Sequence, residues 1–380
     1  MKIVVNARLM QANRRDGIGM FSYHVLSNWI AARKGIEFYV LLSREEDAEL
    51  IQGEHVHPVV LLPTPRHPIL NFIWLEFSVR NFLKHIQPDL YIGFDGMLVQ
   101  GWNGKQLSVI HDINFYHHPD FVKRFDRLFY RYFFPRYAKQ ALRIATVSEF
   151  SKMDIAKSFQ VHHGKIDVVY NGIPFHLSPL STEEMKATRQ LYSEGHPYFY
   201  FVGSLSPRKN LVRMLLAFDQ FAANTEEVFY MVVSGADLYR TNEIYAAHNK
   251  MRFKNRVVFT GAVPDEIMHA LMASSVALLF IPLFEGFGIP VIEAMQCQVP
   301  VIASNVTSVP EVVGDAALLV DPYNVIEIAE AMQAIAIQPS LRSEFIAKGN
   351  IRKMNFSWEK TADLLWQSVE KVLNTPKTDR

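Results

Sequence analysis

Short β-branched or aromatic runs alternate with amphipathic stretches along most of the 380 residues. In the first half the strand candidates are Lys2–Asn6, Phe38–Leu42, Val56–Leu62, Asp89–Gly93, Leu107–Ile110, Ile144–Val147 and Asp167–Tyr170. Helical patterns such as Ile18–Arg33, Ile69–His85 and Val122–Gln140 lie between them. Such alternation predicts a largely parallel sheet covered on both faces. It stops at Asn171-Gly172-Ile173-Pro174, which reads as turn and linker, and a polar stretch runs on to about Gly195. It then restarts with Tyr198–Val202, Val228–Ser234, Val257–Thr260, Val276–Ile281, Val299–Ala303 and Ala317–Val320. The helices between these include Leu211–Ala223, Asp265–Ala273 and Ile289–Gln296. The pattern predicts an α/β chain of two Rossmann-like, doubly wound domains joined near residue 172. Ligands of such folds sit beyond the carboxyl ends of the strands.

The length agrees, because 380 residues exceed one ordinary core. The lone Cys297 has no internal disulfide partner, which fits a reducing, cytoplasmic setting. The N-terminus lacks the apolar core of a signal peptide. No apolar run approaches the ~20 residues of a membrane span. Net charge is +1, yet residues 1–172 carry 21 basic and 16 acidic residues, so the halves are expected to face different partners unless the split is chance. No nucleic-acid partner is expected.

Four segments carry candidate chemistry. Gly203-Ser204-Leu205-Ser206-Pro207-Arg208-Lys209-Asn210 follows a strand and opens a helix. Its small residues permit close backbone approach, and a helix N-terminus favours an anion. Arg208 adds a fork for phosphate and Lys209 a point charge. The alternative is a solvated loop with a chance charge pair. Phe284 to Met295 again links strand to helix, with Gly286 and Gly288 in the loop and Pro290 in the first helical turn. Backbone N–H groups there could bind a diphosphate. Glu285 and Glu293 are acceptors suited to the hydroxyls of a sugar or ribose, unless Glu293 merely favours the helix N-terminus. Arg15-Asp16-Gly17-Ile18-Gly19 resembles the start of a dinucleotide fingerprint, but Ser22 stands where a glycine is needed. A loop near a diphosphate and a plain loop fit it equally. His111-Asp112 ends a strand, where His111 could serve a sugar hydroxyl or be a structural histidine. No D-x-D pair and no His/Cys cluster of metal-ligand spacing is present, so no metal and no cofactor are expected. A diphosphate leaving group would then depend on Arg, Lys and helix N-termini.

Together these segments resemble the retaining glycosyltransferases of family 4, which have the GT-B fold. The resemblance rests on Gly17-Ile18-Gly19, His111-Asp112, Thr146 to Ser151, Asn171-Gly172-Ile173, the Gly203 to Asn210 loop and the seven-residue spacing of Glu285 and Glu293. It implies two Rossmann-like domains facing a central cleft: residues 1–172 on the acceptor side, 173–356 holding the nucleotide sugar, and 357–380 as a helix returning to the first domain. Arg208 and Lys209 would bind the diphosphate, beside Gly203 and Ser204. Gly17 and Gly19 would let a first-domain loop close over it. Glu285, with Gly286, Phe287, Gly288 and Ile289, would hold the transferred sugar. Glu293 would hold the ribose, Val263 would line the base pocket, and His111 would contact the sugar or acceptor. Retention comes from the same resemblance, and no nucleophile candidate stands beside His111, which favours front-face attack. The Asn6-Ala7-Arg8 and Gly17-Ile18-Gly19 opening resembles bacterial polysaccharide mannosyltransferases. It implies GDP-mannose as donor, with a UDP-hexose the other option, and a glycan or lipid-linked acceptor. A 2-epimerase of nucleotide sugars is the alternative activity. Phe121 to Tyr137 mixes aromatic residues with Lys123, Arg124, Arg127, Arg131 and Arg136. This suggests peripheral contact with an anionic membrane at its inner face, against the plainer reading of core aromatics and a solvated basic face.

Overall fold

The computed structural model describes residues 1–11, 17–64, 67–174 and 177–376; Arg15 and Asp16 of the first glycine segment lie outside them. Backbone contacts divide the chain into two units, residues 1–172 with 357–380, and residues 173–356.

The first unit is built on seven strands: β1 Lys2–Asn6, β2 Glu37–Leu42, β3 Val56–Val60, β4 Leu90–Gly93, β5 Gln106–Val109, β6 Arg143–Thr146 and β7 Ile166–Val168. All neighbours are parallel, in the order β3-β2-β1-β4-β5-β6-β7. The second has six parallel strands: β8 Tyr198–Val202, β9 Tyr230–Ser234, β10 Val257–Gly261, β11 Ala277–Phe280, β12 Val301–Ser304 and β13 Leu318–Val320. Their order is β10-β9-β8-β11-β12-β13. Helices cover both faces, so central strands such as β11 and β12 are buried throughout rather than alternating, and are apolar except for Ser304 at the end of β12. Strand order reverses at β1/β4 in one sheet and at β8/β11 in the other. Loops leaving the carboxyl ends at these switch points splay apart and open a crevice for ligands.

Three segments depart from the sequence expectation. The polar stretch before Gly195 contains a helix, Thr182–Ser193, started by a capping box between Ser181 and Glu184. It is mostly exposed, so it carries no broad apolar stripe. Strand β3 ends at Val60, and Leu62, before Pro63, is exposed. The segment Pro68–Ile86 is helical but contains a π-helical turn at Trp74–Val79.

The final helix, Trp358–Leu373, belongs to the first unit. Its buried stripe of Trp358, Leu365, Val369 and Val372 repeats at helical spacing. The Trp29 indole donates to the Ala362 carbonyl at 2.9 Å, and Thr361 Oγ1 donates to the Tyr170 carbonyl at 2.6 Å. Asp167 accepts from Arg143, Ser368 Oγ and Lys371 Nζ, the last two at 2.9 and 2.8 Å. Gly172 allows this approach: a Cβ there would lie 2.2 Å from the Trp358 backbone nitrogen.

Candidate functional site

In the second unit the loops after β8 and β11 leave adjacent strands at the switch point. The first contains Gly203 at φ 146° and the 3-10 turn Pro207–Lys209. Asn210 then turns left-handed at φ 61°, and its side-chain amide donates to the Ile281 and Pro322 carbonyls at 3.1 and 2.7 Å. This anchors the basic turn to the second loop, where the Leu283 N–H donates to the Arg208 carbonyl at 2.9 Å.

Arg208 and Lys209 converge on one carboxylate. Glu285 Oε2 lies 2.7 Å from the Arg208 guanidinium and 2.9 Å from Lys209 Nζ. The side chains are 22, 11 and 13% exposed for Arg208, Lys209 and Glu285, so the group is poorly screened. Burial alone would raise the Glu285 carboxyl. The Arg208 and Lys209 charges, with the hydrogen bonds from both, outweigh it and hold the group at about 2. Two cations converge on Glu285 at the carboxyl end of adjacent strands, and fixed cations so placed suit an anionic ligand.

Glu293 behaves oppositely. It lies one turn into the helix Ile289–Gln296 and is 7% exposed. No hydrogen bond of the described residues ends on its carboxylate. Burial, and then the charge of Asp265, push it up to about 7. Its oxygens are not fully sealed from solvent, so the hydroxyls of a ligand could take the place of water there. Asp265 opens the helix that follows Val263, so the loop Gly261–Pro264 belongs to the same electrostatic neighbourhood. Gly288, at φ 108°, starts the helix where any Cβ would press to 2.9 Å on the Phe280 ring. The buried Cys297 thiol is pushed up to about 12 by burial and by Glu293, which makes it a poor nucleophile.

Two residues the sequence reading passed over hold the Glu285 backbone. Thr307 Oγ1 accepts from the Glu285 N–H at 3.2 Å, and Ser308 Oγ donates to the Glu285 carbonyl at 2.8 Å. Thr307 sits at φ 58°, a conformation that costs an L-residue about 1–2 kcal/mol. Position alone could have flagged them, since they lie in the loop after β12.

The first unit has its own switch-point cluster. Arg8 Nε and Asp95 form an ion pair of 2.6 Å with both side chains buried, and Asn6 Nδ2 donates to the same carboxylate at 3.0 Å. The sequence reading missed this pair, whose partners are 87 positions apart. His111 leaves β5 with Nε2 3.0 Å from the Phe94 carbonyl and its ring edge-on to Phe21. Asp112 accepts from Asn114 and so holds the turn Asn114–His117. Gly17 and Gly19 lie in the first turn of the helix Gly17–Ala32, with Gly19 buried, rather than in a loop. Among the described residues no three His, Cys, Asp or Glu side chains gather as metal ligands would.

Comparisons with known proteins agree in both halves. Residues 17–176 match the family described as Glycosyltransferase Family 4, and residues 183–352 match Glycosyl transferases group 1. The chain is 30% identical over 264 residues to the O-antigen chain mannosyltransferase B of Escherichia coli, covering 67% of each. It is 27% identical over 208 residues to the serotype-specific mannosyltransferase WbdA of Escherichia coli, which spans 54% of this chain but only 25% of that relative. Among solved structures, sucrose-phosphate synthase from Thermosynechococcus elongatus superposes with a TM-score of 0.80 over 98% of both chains at 18% identity, a likeness of fold. These matches support group transfer and lend nothing to the 2-epimerase alternative.

Proposed function

The chain belongs to glycosyltransferase family 4, and we propose that it moves mannose from GDP-mannose, with retention, to a glycan or lipid-linked acceptor without a metal. The observation that carries the nucleotide-diphosphate part of this reading is the convergence of Arg208 and Lys209 on Glu285 at the β8/β11 switch point, with Glu293 on the helix that follows the same loop. The diphosphate adds negative charge beside the two cations, and charge on the leaving oxygen grows in the transition state, where fixed cations act most strongly. Ribose hydroxyls would donate to Glu293. Glu285 would accept from the transferred sugar, and His111 would serve the sugar or the acceptor, as the family resemblance implies. In front-face attack the acceptor oxygen bonds to the anomeric carbon, the carbon–oxygen bond to the diphosphate breaks, and the leaving phosphate takes the acceptor proton. The mannosyl donor rests on the likeness to mannosyltransferases, and UDP-hexoses are the alternatives.

Thermal shift in EDTA tests donor and metal together. GDP-mannose is expected to raise the melting temperature by a few °C through binding to the folded state, and UDP-glucose by less. The opposite ranking would move the donor to a UDP-hexose. A response to GDP-mannose that EDTA abolishes and Mn²⁺ restores would overturn the metal-free mechanism.

The acceptor reading extends to a membrane surface. In the helix Arg124–Gln140, Phe129, Phe134 and Tyr137 are core residues, as the plainer reading expects. Phe125, Leu128 and Tyr132, however, form an outward stripe at positions i, i+3 and i+7. Phe125 meets the ring of His67, and exposed Ile69 and Phe72 lie on the adjoining helix Pro68–Ile73. Exposed Arg124 and Arg131 lie on the same helix as this stripe. Aromatic residues flanked by arginines suit an anionic lipid interface, each cation contributing about 1 kcal/mol. Vesicles containing phosphatidylglycerol should bind the protein at low salt and release it as salt rises. The double variant Arg124→Glu/Arg131→Glu should bind at least tenfold more weakly. No sedimentation with these vesicles at low salt would remove the membrane assignment and leave the transferase assignment untouched. No helix among the described residues is long and apolar enough to cross a membrane.

A further inference from the structure

Seven described non-glycine residues have positive φ, and Thr307 is the β-branched one among them. Branching at Cβ makes the left-handed region especially unfavourable, so a threonine persists there only where its surroundings enforce it. Its neighbours show what the conformation accomplishes. In an extended chain, consecutive side chains point to opposite sides. Here the hydroxyls of Thr307 and Ser308 both reach the backbone of Glu285, one accepting from its N–H and the other donating to its carbonyl. The left-handed turn at Thr307 lets consecutive side chains meet one residue. A glycine would relax the turn but bring no hydroxyl, whereas threonine retains both the hydroxyl and the strain.

The residue so gripped is the one on which Arg208 and Lys209 converge. Its carboxylate position depends on its backbone position, and both cations lie within 2.9 Å of that carboxylate. We infer that Thr307 is a positioning residue of the donor site, holding Glu285 through its amide so that the carboxylate stands correctly for sugar transfer. This rests on the donor-site reading above. Nothing in it requires Thr307 to touch the donor.

The test separates the hydroxyl from the branch point. Thr307→Ser keeps the hydroxyl, Thr307→Ala removes it, and Thr307→Gly removes it while relieving the backbone. Each variant is assayed for mannose transfer from GDP-mannose and for GDP affinity by calorimetry, with melting temperatures alongside. Thr307→Ala and Thr307→Gly are expected to lower kcat about tenfold with GDP affinity within about twofold of wild type. Thr307→Ser should retain at least half the wild-type kcat. Thr307→Gly should melt no lower than Thr307→Ala, which ties its lost activity to the site rather than to unfolding. Wild-type kcat in both hydroxyl-free variants, or a Thr307→Ser as impaired as Thr307→Ala, would overturn the inference alone. A Thr307→Gly that melts well below Thr307→Ala would show the turn to be unstrained and overturn it as well. A wild-type protein that neither binds nor uses GDP-mannose or UDP-glucose would overturn the donor-site reading and this inference with it.

Discussion

Lys209→Ala is expected to lower kcat/KM by 10²–10³-fold, with most of the loss in kcat. The ammonium lies 2.9 Å from Glu285 with a side chain only 11% exposed, so its field is little screened by water. It stands at the switch point where a diphosphate would develop charge as the glycosidic bond breaks, and loss of one such preorganised contact has that order of effect. Stability should change far less. Arg208 remains 2.7 Å from Glu285, so the carboxylate keeps a partner and no buried charge is orphaned. Lys209→Arg should recover part of the rate, since the charge returns in a different shape. A folded Lys209→Ala protein with kcat/KM within threefold of wild type would remove Lys209 from the mechanism.

The second large effect concerns Glu293 and pH. With its carboxyl near 7 in the free protein, the group is largely protonated at pH 6 and largely ionised at pH 8. The carboxylate can accept from both ribose hydroxyls through charge-assisted bonds, whereas the protonated acid accepts more weakly and turns one oxygen into a donor. GDP affinity should therefore rise up to tenfold per pH unit below 7 and level off above it. In Glu293→Gln that dependence should vanish, and affinity at pH 8 should fall by about 10–100-fold, the loss of charge-assisted hydrogen bonds. Stability should move the other way. A folded-state value raised from 4.5 to about 7 means that this group's contribution is fully present below about 4.5 and is lost as pH rises through 7. At pH 8 the buried carboxylate costs about 3 kcal/mol by that shift, so Glu293→Gln should unfold at higher denaturant than wild type. Glu285→Gln is the contrast. It removes the anion between two cations, so GDP affinity should hold or rise while transfer falls. Calorimetric titration of GDP at pH 6, 7 and 8 checks the set, and an undiminished pH dependence in Glu293→Gln would exclude Glu293 as the ribose acceptor.

The two parallel sheets were legible because buried strands covered on both faces must be apolar along their whole length, as in Tyr198–Val202 and Ala277–Phe280. The loops at 203–210 and 284–293 were legible for a different reason: glycine, proline and paired charges after such a strand serve backbone geometry and ligands rather than packing. What those loops do to each other was not. Arg208 and Lys209 reach a carboxylate more than 70 positions away, and that meeting is set by the adjacency of β8 and β11 in the sheet. Thr307 and Ser308 gave no spacing signal, because a hydroxyl becomes informative only once its partner is known. The helix Thr182–Ser193 was hidden by its polarity, although Ser181 and Glu184 stood three apart as a capping pair. Gly17 and Gly19 misled in the other direction. Two glycines suggest a loop, yet Gly19 is buried in a helix, where tertiary packing overrides a poor local propensity.

The helix Trp358–Leu373 sets an order of events during synthesis. Residues 173–356 form a contiguous unit and can close once they have emerged from the ribosome. The first unit can be completed only afterwards, because the carbonyl that satisfies the Trp29 indole, the Ser368 and Lys371 side chains that join Arg143 on Asp167, and the stripe of Trp358, Leu365, Val369 and Val372 all follow residue 356 along the chain. Until then the surface that this helix covers stays open, and the nascent protein carries one finished unit behind one that is still waiting.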